Sequence, residues 1–477
     1  MQRAQRLRRG FLLPEACTLN LTSHYKSFDH ATSLTPICRN PLRERHGVLM
    51  HAVYKKIGLL DHMGWGNMGD AAVQEAFIAN IKKRQPSAEL IAFSLNPDDT
   101  RKRHRLASYP ITWSVPGPTS SEPSPAETLK QKVSLKSRLK RWRIFYAVAK
   151  PIHDVVQELA HLIRSYRIVR SLDLLIISGG GQLCELWRGP WSHPYNVFKF
   201  CALAKLSGTP VLIVGVGAGP LEHPLSKFFA RWCVRLATYT SFRDVESQAL
   251  LRKLGATAET YVYPDPAYAL ELPVRAAATF SEKQRPKVGI NPIGFCDPRI
   301  WPRQDDAAYC RYLDKLAAFS TWLLDHHYDL EIFAGETSVD RYAIADLEKR
   351  IPTHVYQNQI STAARIPMLS LGELLAQMST FDFVITSKFH GVVFSHLLGR
   401  PVIALSYHHK IDDLMRAVGH EQYCLDIDHF EEDSLIEAFE SLVDNSEELS
   451  SRFRHTALTY GNAVKGQFDR LFAQQMP

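Results

Sequence analysis

The chain has 477 residues, 45% of them hydrophobic and 22% charged, which predicts a soluble globular protein of two or three domains. It contains no apolar run of transmembrane length and no apolar segment of signal-peptide length behind its Arg-rich start. We therefore expect a cytoplasmic protein. The eight cysteines form no Cys-x-x-Cys pair or zinc-type cluster, so neither a metal site nor a disulfide framework is predicted.

The net charge of +8 is concentrated in two segments. Residues 1–50 contain eight Lys/Arg and three Asp/Glu, residues 101–150 contain twelve and two, and the rest of the chain is acidic on balance. No basic face extends over the predicted domains, which argues against a nucleic-acid partner. Residues 1–50 show little periodicity and are predicted to be disordered or loosely attached. Whether the functional chain starts at Met1 or Met50 is open.

The first predicted strand, residues 53–60, leads into a glycine-rich turn and a helix. The turn contains Asn67 and Asp70, and we predict Asp70 as the helix N-cap. A helix N-terminus behind such a turn can bind an anion or a polar ligand, although a tight turn with a capping Asp gives the same pattern. No GxGxxG motif or P-loop lysine is present, so no dinucleotide or Walker site is predicted.

A basic, proline-rich insertion is predicted at about residues 101–150, after a second strand at residues 90–95. Within it, residues 130–150 interleave Lys and Arg with Leu, Trp, Ile and Phe. This pattern is typical of a basic amphipathic helix. Such a helix either lies on an anionic membrane surface or packs on its own domain with the charges in solvent.

Two buried strands in the first half each end in a glycine turn. The strand at residues 172–177 precedes Gly180 and Gly181, and the strand at residues 210–214 precedes Gly217 and Gly219. Glycines let backbone amides approach a ligand closely, and parallel strands end at one sheet edge, so the turns are predicted to face each other. Close strand–helix packing would explain either turn alone, but their recurrence favours a ligand site.

Basic side chains follow strands in both halves. Arg243 ends the strand at residues 239–242, and Lys388 and His390 follow the strand at residues 383–386. Ligands of open α/β sheets bind outside the carboxyl ends of the strands, so these side chains suit an anionic ligand. The alternatives are an ion pair of Arg243 with a neighbouring Asp244 or Glu246, a surface position for Lys388 and a capping role for His390.

Buried strands alternate with helices throughout, which predicts an α/β protein with two Rossmann-like domains facing across a cleft. Residues 51–279 are predicted to form the N-terminal domain and residues 280–477 the C-terminal domain, joined by a linker that begins near residue 280. The charged helical residues 431–475 are expected to cross back onto the first half.

Eight short motifs occur in order along the chain: Asn67-x-Gly69-Asp70, Ile177-Ser178-Gly179-Gly180-Gly181, Gly215-x-Gly217-x-Gly219-Pro220, Ser241-x-Arg243-Asp244, Asp265-Pro266, Lys388-Phe389-His390-Gly391, Gly399-x-Pro401 and Tyr407-x-x-Lys410. With these motifs the chain resembles the polysaccharide pyruvyl transferase family over roughly residues 51–420. The resemblance implies the glycosyltransferase B-like architecture. It also implies transfer of the enolpyruvyl group of phosphoenolpyruvate to two hydroxyls of a sugar, giving a pyruvate ketal and phosphate.

The resemblance implies that Arg243, Lys388 and His390 hold the phosphate and carboxylate of the donor. A donor with two anionic groups needs such cations and oriented amides. Family members often carry Arg at the position of Lys388, so this chain offers a compact charge without the guanidinium fork. His390 is expected to transfer a proton, and Asp70 to bind or deprotonate the sugar hydroxyl. The remaining substrate-binding positions are Asn67, Gly180, Gly181, Gly217, Gly219 and Lys410.

The leading hypothesis is a phosphoenolpyruvate-dependent pyruvyl transferase that acts on a surface polysaccharide or its lipid-linked precursor, without a cofactor or metal. Residues 130–150 would then contact the inner face of the cytoplasmic membrane. Two alternatives are open: a nucleotide-sugar-dependent glycosyltransferase of the same architecture, and a catalytically silent relative that binds a glycan.

Overall fold

The computed structural model describes residues 53–61, 64, 66–113, 136–186, 189–272, 285–352, 360–362 and 370–472. Side chains are not described for residues 136–151 and 361–362. The predicted N-terminal segment 1–50, the stretch 114–135 and most of the predicted linker therefore lie outside the described residues.

The first half contains a parallel sheet with the strand order β3-β2-β1-β4-β5-β6-β7. Helices cover both of its faces. The strands are β1 Lys56–Leu60, β2 Glu89–Ser94, β3 Ala107–Pro110, β4 Leu174–Ser178, β5 Val211–Val216, β6 Tyr239–Phe242 and β7 Tyr261–Val262. The helices are α1 Met68–Arg84, α2 Pro97–His104, α3 Lys136–Val169, α4 His193–Ser207, α5 Pro224–Leu236 and α6 Val245–Lys253.

The central strands of this sheet are apolar on both faces. In β4, Ile176 belongs to the core on the α1 side, whereas Leu175 and Ile177 belong to the core on the opposite side. Successive strand residues point to opposite faces, so a continuous apolar run is stable only where both faces are covered. The run therefore fixes β4 in the middle of the sheet.

The second half contains a parallel sheet with the strand order β10-β9-β8-β11-β12-β13. The strands are β8 Lys287–Asn291, β9 Asp329–Ile332, β10 Ile360–Thr362, β11 Phe383–Thr386, β12 Val402–Ser406 and β13 Cys424–Asp426. The helices are α7 Asp306–Asp325, α8 Thr337–Glu348, α9 Leu371–Met378, α10 Phe389–Leu398, α11 His409–Ala417, α12 Glu432–Asp444 and α13 Ser446–Phe472. Two parallel-sheet α/β halves confirm the predicted fold class.

The structure differs from the sequence interpretation in the region of the predicted insertion. Residues 101–110 contain the end of α2 and the edge strand β3, which pairs with β2. Helix α3 also runs unbroken through Pro151, where we predicted separate helical segments. A proline inside a helix removes one backbone hydrogen bond and strains the preceding turn, which is why the sequence predicted a break here. The helix nevertheless continues through Pro151.

Helix α13 starts in the second half and ends on the first half, as expected from its sequence. The ring of Phe468 packs edge-on against Phe77 of α1 with centroids 5.2 Å apart. Arg84 pairs with Asp469 at 2.7 Å, and Gln467 Nε2 donates to Ser241 Oγ at 2.6 Å. The last helix is thus part of the core beneath the first sheet. Among the described residues, no helix is both long and apolar enough to cross a membrane.

Candidate active site

Six of the ten predicted site residues follow strands at which the strand order of a sheet reverses, whereas Gly217, Gly219, Arg243 and Lys410 follow strands farther along the sheets. In the first sheet, β2 and β3 lie beyond β1 on one side, and β5, β6 and β7 lie beyond β4 on the other. In the second sheet, β9 and β10 lie beyond β8, and β12 and β13 lie beyond β11. Loops that leave neighbouring strands in opposite directions open a crevice at the carboxyl ends of those strands. The crevices of the two sheets face each other. Asn67 forms an antiparallel bridge with Glu336, and Met68 N donates to Gly335 O at 3.1 Å.

The two glycine turns face each other, as predicted. Gly217 N donates to Gly180 O at 2.8 Å, and Gly219 N donates to Leu183 O at 2.8 Å. Gly180 and Gly219 have φ values of +67° and +93°, which favour glycine. A Cβ added to Gly181 would meet no atom within 4 Å, so its backbone borders open space.

Asn67, and not Asp70, caps helix α1, so the predicted N-cap was wrong. Asn67 Oδ1 accepts from Gly69 N at 2.9 Å and from Asp70 N at 3.4 Å. The Asn side chain reaches two free amides from one position, which places Asp70 in the first turn. Burial raises the pKa of Asp70, although the nearby His390 and Arg243 oppose that rise. Asp70 therefore holds a proton more readily than an exposed carboxyl.

A buried carboxylate, Asp265, connects basic side chains from the two halves. Arg243 Nη1 lies 2.9 Å from Asp265 Oδ2, and His390 Nε2 lies 3.7 Å from Asp265 Oδ1. Burial would raise the pKa of Asp265, but His390 and Arg243 outweigh it and hold the pKa well below its usual range. The guanidinium of Arg243 also stacks on the ring of Phe389, 4.6 Å from the centroid. Asp265 thus stays ionised between a guanidinium and an imidazole.

His390 occupies space that only a glycine leaves open. It is the second residue of α10, whose N-cap position is taken by Lys388, so the capping alternative for His390 was wrong. Its ring lies against Gly69 of α1, where an added Cβ would overlap the imidazole. Gly69 therefore sets how closely the imidazole approaches the first half.

Lys388 is held by two carboxylates of the second half. Its Nζ lies 2.9 Å from Asp340 Oδ1 and 3.2 Å from Glu336 Oε2, and its side chain is only 16% exposed. Burial would lower the pKa of Lys388, but Asp340 and Glu336 outweigh it and raise the pKa. The surface position considered for Lys388 is therefore wrong, and the lysine is charged inside the crevice.

Glu336 belongs to the site although the sequence analysis gave it no role. Burial raises its pKa, Lys388 opposes this rise, and Asp340 and Asp70 add to it. Asp265 was likewise noted only as part of a motif. Both acids lie a few residues behind strands, Glu336 four positions after the end of β9 and Asp265 three positions after the end of β7. Ligands bind outside the carboxyl ends of the strands, whether the side chains there are basic or acidic. The same reasoning that predicted Arg243 and Lys388 could therefore have indicated Glu336 and Asp265.

Lys410 reaches from α11 to the glycine turn of the first half, where its Nζ lies 3.5 Å from Gly219 O. Burial and the nearby Arg243 lower the pKa of Lys410 to about 8. No carboxylate of the described residues lies within ion-pair distance of its Nζ. Arg243 itself packs beneath Gly217, where an added Cβ would come within 2.8 Å of Nε. Arg243 and Lys410 therefore flank the same glycine turn.

The described residues form no cluster of His, Cys, Asp and Glu that could hold a metal ion. What they form is a crevice with three cations, one imidazole and four carboxyl groups contributed by both halves. Arg243, Lys388 and Lys410 supply the positive charge, and the carboxyl groups are Asp70, Asp265, Glu336 and Asp340.

Two facing α/β sheets with this crevice define a two-domain protein of the glycosyltransferase B-like class. UDP-GlcNAc 2-epimerase from Neisseria meningitidis, bound to UDP-GlcNAc, has a similar fold, with a TM-score of 0.51, 12% identity and coverage of 87% of this chain and 98% of that chain. The S. aureus MnaA-UDP structure gives a TM-score of 0.51 at 10% identity, covering 87% and 94%. Identities this low show the fold alone.

The sequence is more specific than the fold. The family described as polysaccharide pyruvyl transferase matches residues 67–409, and the chain belongs to this family. The amylovoran biosynthesis protein AmsJ of Erwinia amylovora is 21% identical over 415 residues, which cover 83% of this chain and 94% of that protein. The family assignment made from the motifs is confirmed.

Proposed function

We propose that the protein transfers the enolpyruvyl group of phosphoenolpyruvate to two hydroxyls of a sugar in a polysaccharide or its lipid-linked precursor. The products are a pyruvate ketal and inorganic phosphate. The observation that carries this proposal is the arrangement of Arg243 and His390, from different halves, around the ionised Asp265. An anion-binding group and a proton-transfer group are thereby held side by side.

The donor's anionic groups suit the turn that contains Gly217 and Gly219. Arg243 uses Nη1 for Asp265, while its buried Nε has no hydrogen-bond partner among the described residues. Lys410 reaches the other end of the turn, and its pKa is lowered by burial and, to a smaller extent, by repulsion from Arg243. A phosphate or carboxylate between them would relieve this repulsion and accept charge-assisted hydrogen bonds from both.

The charge of Lys388 is balanced by Asp340 and Glu336. Because its pKa is raised, Glu336 takes up a proton more readily than an exposed glutamate, and whenever it is protonated Lys388 faces the carboxylate of Asp340 alone. Lys388 then contributes to binding the second anionic end of the donor. The state of Glu336 thus sets the attraction of this part of the crevice for an anion.

The reaction needs a proton at the donor's methylene carbon and removal of protons from two hydroxyls. Protonation of the methylene makes the adjacent carbon electrophilic, and a sugar oxygen bonds to it as its hydroxyl proton leaves. The carbon–oxygen bond to phosphate then breaks, with the electron pair leaving on the phosphate. The second hydroxyl closes the ketal and loses its proton. We assign the donation and acceptance of these protons to His390, whose Nε2 lies 3.7 Å from Asp265, and to Asp70, whose pKa is raised by burial.

The product identifies the reaction. We expect the purified full-length protein, incubated with phosphoenolpyruvate and saccharides or lipid-linked saccharides from cells that make the polysaccharide, to yield a product with the mass of one added pyruvate ketal. Phosphate should be released in equal amount. The H390Q variant serves as the matched enzyme control. Transfer from a nucleotide sugar in the same extract, with no ketal from any acceptor, would contradict the proposal.

The affinity for phosphoenolpyruvate is expected to weaken as the pH rises above about 8, where Lys410 loses its proton. Below that pH the lysine is charged, so its titration should leave KM for phosphoenolpyruvate unchanged. Above about pH 8 the lysine becomes neutral and KM should rise. Because arginine stays charged, the K410R variant should keep a nearly flat KM up to about pH 9.5. The measurement is KM between pH 6.5 and about pH 9.5 for both proteins. Parallel pH profiles would show that Lys410 does not bind the donor.

A further inference from the structure

Helix α3 presents apolar side chains to solvent along one face. Five large aliphatic residues, which we call the outer stripe, are 53–61% exposed. Their spacing of three and four positions places them on one side of an α-helix. The outer stripe consists of Ile152, Val155, Val156, Leu159 and Ile163.

The opposite face of the same helix, which packs on the domain, is polar in its middle and apolar at its end, where Ile168 and Val169 join the core. Glu158 accepts from Tyr195 OH at 2.8 Å and from Lys199 Nζ at 3.0 Å, and both partners lie on α4. His161 Nε2 lies 3.0 Å from Pro110 O, and Ser165 is buried beside it. A helix that only covers a domain turns its apolar side inward. In this part of α3 large aliphatic side chains face solvent instead, which indicates a second partner.

An aromatic side chain extends this apolar surface. Trp113 is partly exposed, and its ring packs against that of His153, next to the start of the outer stripe. An exposed tryptophan beside an aliphatic stripe is typical of surfaces that enter the boundary between lipid headgroups and acyl chains.

We propose that α3 docks on an anionic lipid bilayer, with the outer stripe inserted at the headgroup boundary. The charge of the helix favours this partner. Its sequence contains eight Lys/Arg and two Asp/Glu, and one of those acids, Glu158, is turned inward and paired. Five of the basic residues lie in residues 136–143, at the N-terminal end of the helix. Such a helix combines apolar burial with attraction to anionic headgroups.

A second copy of the chain fits this surface less well. A two-fold contact would bring two copies of the same basic helix together. Apart from the inward Glu158, the only acid in the sequence of α3 is Asp154, which already lies 3.5 Å from His153 Nδ1, so little negative charge offsets the like charges. The inference is independent of the proposed reaction, because it concerns where the protein is held and not what it converts.

The test is co-sedimentation of the full-length protein with vesicles of phosphatidylglycerol and phosphatidylethanolamine, and with vesicles of phosphatidylcholine. We expect binding to the anionic vesicles, weakened by high salt, and little binding to phosphatidylcholine. The double variant V155S/L159S should bind the anionic vesicles about tenfold less strongly, since two inserted aliphatic side chains are lost. The matched control is V245S/L458S, which makes the same two changes at similarly exposed positions away from α3 and should bind like the unchanged protein.

Circular dichroism melting checks that both variants are folded, and light scattering after gel filtration reports their oligomeric state. The proposal is overturned if the unchanged protein does not bind anionic vesicles or binds phosphatidylcholine vesicles equally well. It is overturned too if the two double variants bind anionic vesicles equally strongly. It is also overturned if V155S/L159S converts a dimer into a monomer without changing vesicle binding, since the outer stripe would then be a contact between copies.

Discussion

Replacing His390 with glutamine is expected to reduce kcat by roughly 10²- to 10⁴-fold, the range that a lost general acid–base group typically costs. The amide can still hydrogen-bond near Asp265, but it cannot carry a proton between the donor and a sugar hydroxyl. Melting temperature should change little, because the ring contacts Asp265 only at 3.7 Å and lies at the crevice. The measurement is phosphate release from phosphoenolpyruvate in the presence of a ketal-forming acceptor.

A surface pair provides the control for this variant. His429 Nδ1 lies 2.9 Å from Asp426 Oδ1, and both side chains are exposed. H429Q therefore removes an imidazole from a His–Asp pair without touching the crevice, and its kcat should equal that of the unchanged protein. If H390Q retained a kcat within about threefold of the unchanged enzyme, proton transfer would have to be assigned to another group, with Asp70 and Glu336 the nearest choices.

Changing Gly69 to alanine is expected to lower kcat by about 10²-fold while leaving the protein folded, because a displacement of about 1 Å at a catalytic group has that effect. An added Cβ overlaps the imidazole of His390, so the ring must move away from its place beside Asp265. Alanine itself favours helix more than glycine, by about 1 kcal/mol in a helix interior, so α1 is not weakened locally. A single methyl group thus tests the position of His390 without removing it.

Gly372 is the matched control, because it occupies the second position of α9 as Gly69 does in α1. The nearest atom to a Cβ at Gly372 is Ser370 Oγ at 4.0 Å, so G372A should keep full activity. Both variants should be compared by kcat and by thermal melting. Full activity in G69A would mean that the close approach of His390 to α1 has no part in catalysis.

The pattern of apolar strands and turns predicted most of the fold. The runs around Ile176 and Ile213 are apolar at every position, which is the sequence pattern of a strand that is covered on both faces. The edge strand β3 was missed, because it is four residues long, ends in Pro110 and pairs on one side only. Short edge strands contain too few apolar residues to differ from a loop.

Arg243 and Lys388 could be predicted because they lie one and two positions behind the strands β6 and β11, whereas Lys410 was predicted from the family resemblance. Their partners could not. Arg243 was considered as a partner of Asp244, its neighbour in sequence, yet the closer carboxylate is that of Asp265, at 2.9 Å compared with 3.9 Å. The pairing of Lys388 with Glu336 likewise depends on how β9 and β11 flank β8. Such contacts follow from sheet order, which local periodicity does not encode.

The path of α13 also has a consequence for the order in which the chain acquires its structure during synthesis. Arg84 bonds the carbonyl of Lys465, 381 positions away, and Phe77 is covered by Phe468 of the same last helix. Ribosomes add about 5–20 residues per second, so α13 is synthesised tens of seconds after the face of the first sheet against which it packs. During that time an apolar surface and the carboxylate of Asp265 both lack their C-terminal partners. The nascent first half is therefore the stage at which chaperone binding matters most. Loss of the final two helical turns would leave Phe77 without the cover of Phe468 even in the finished chain.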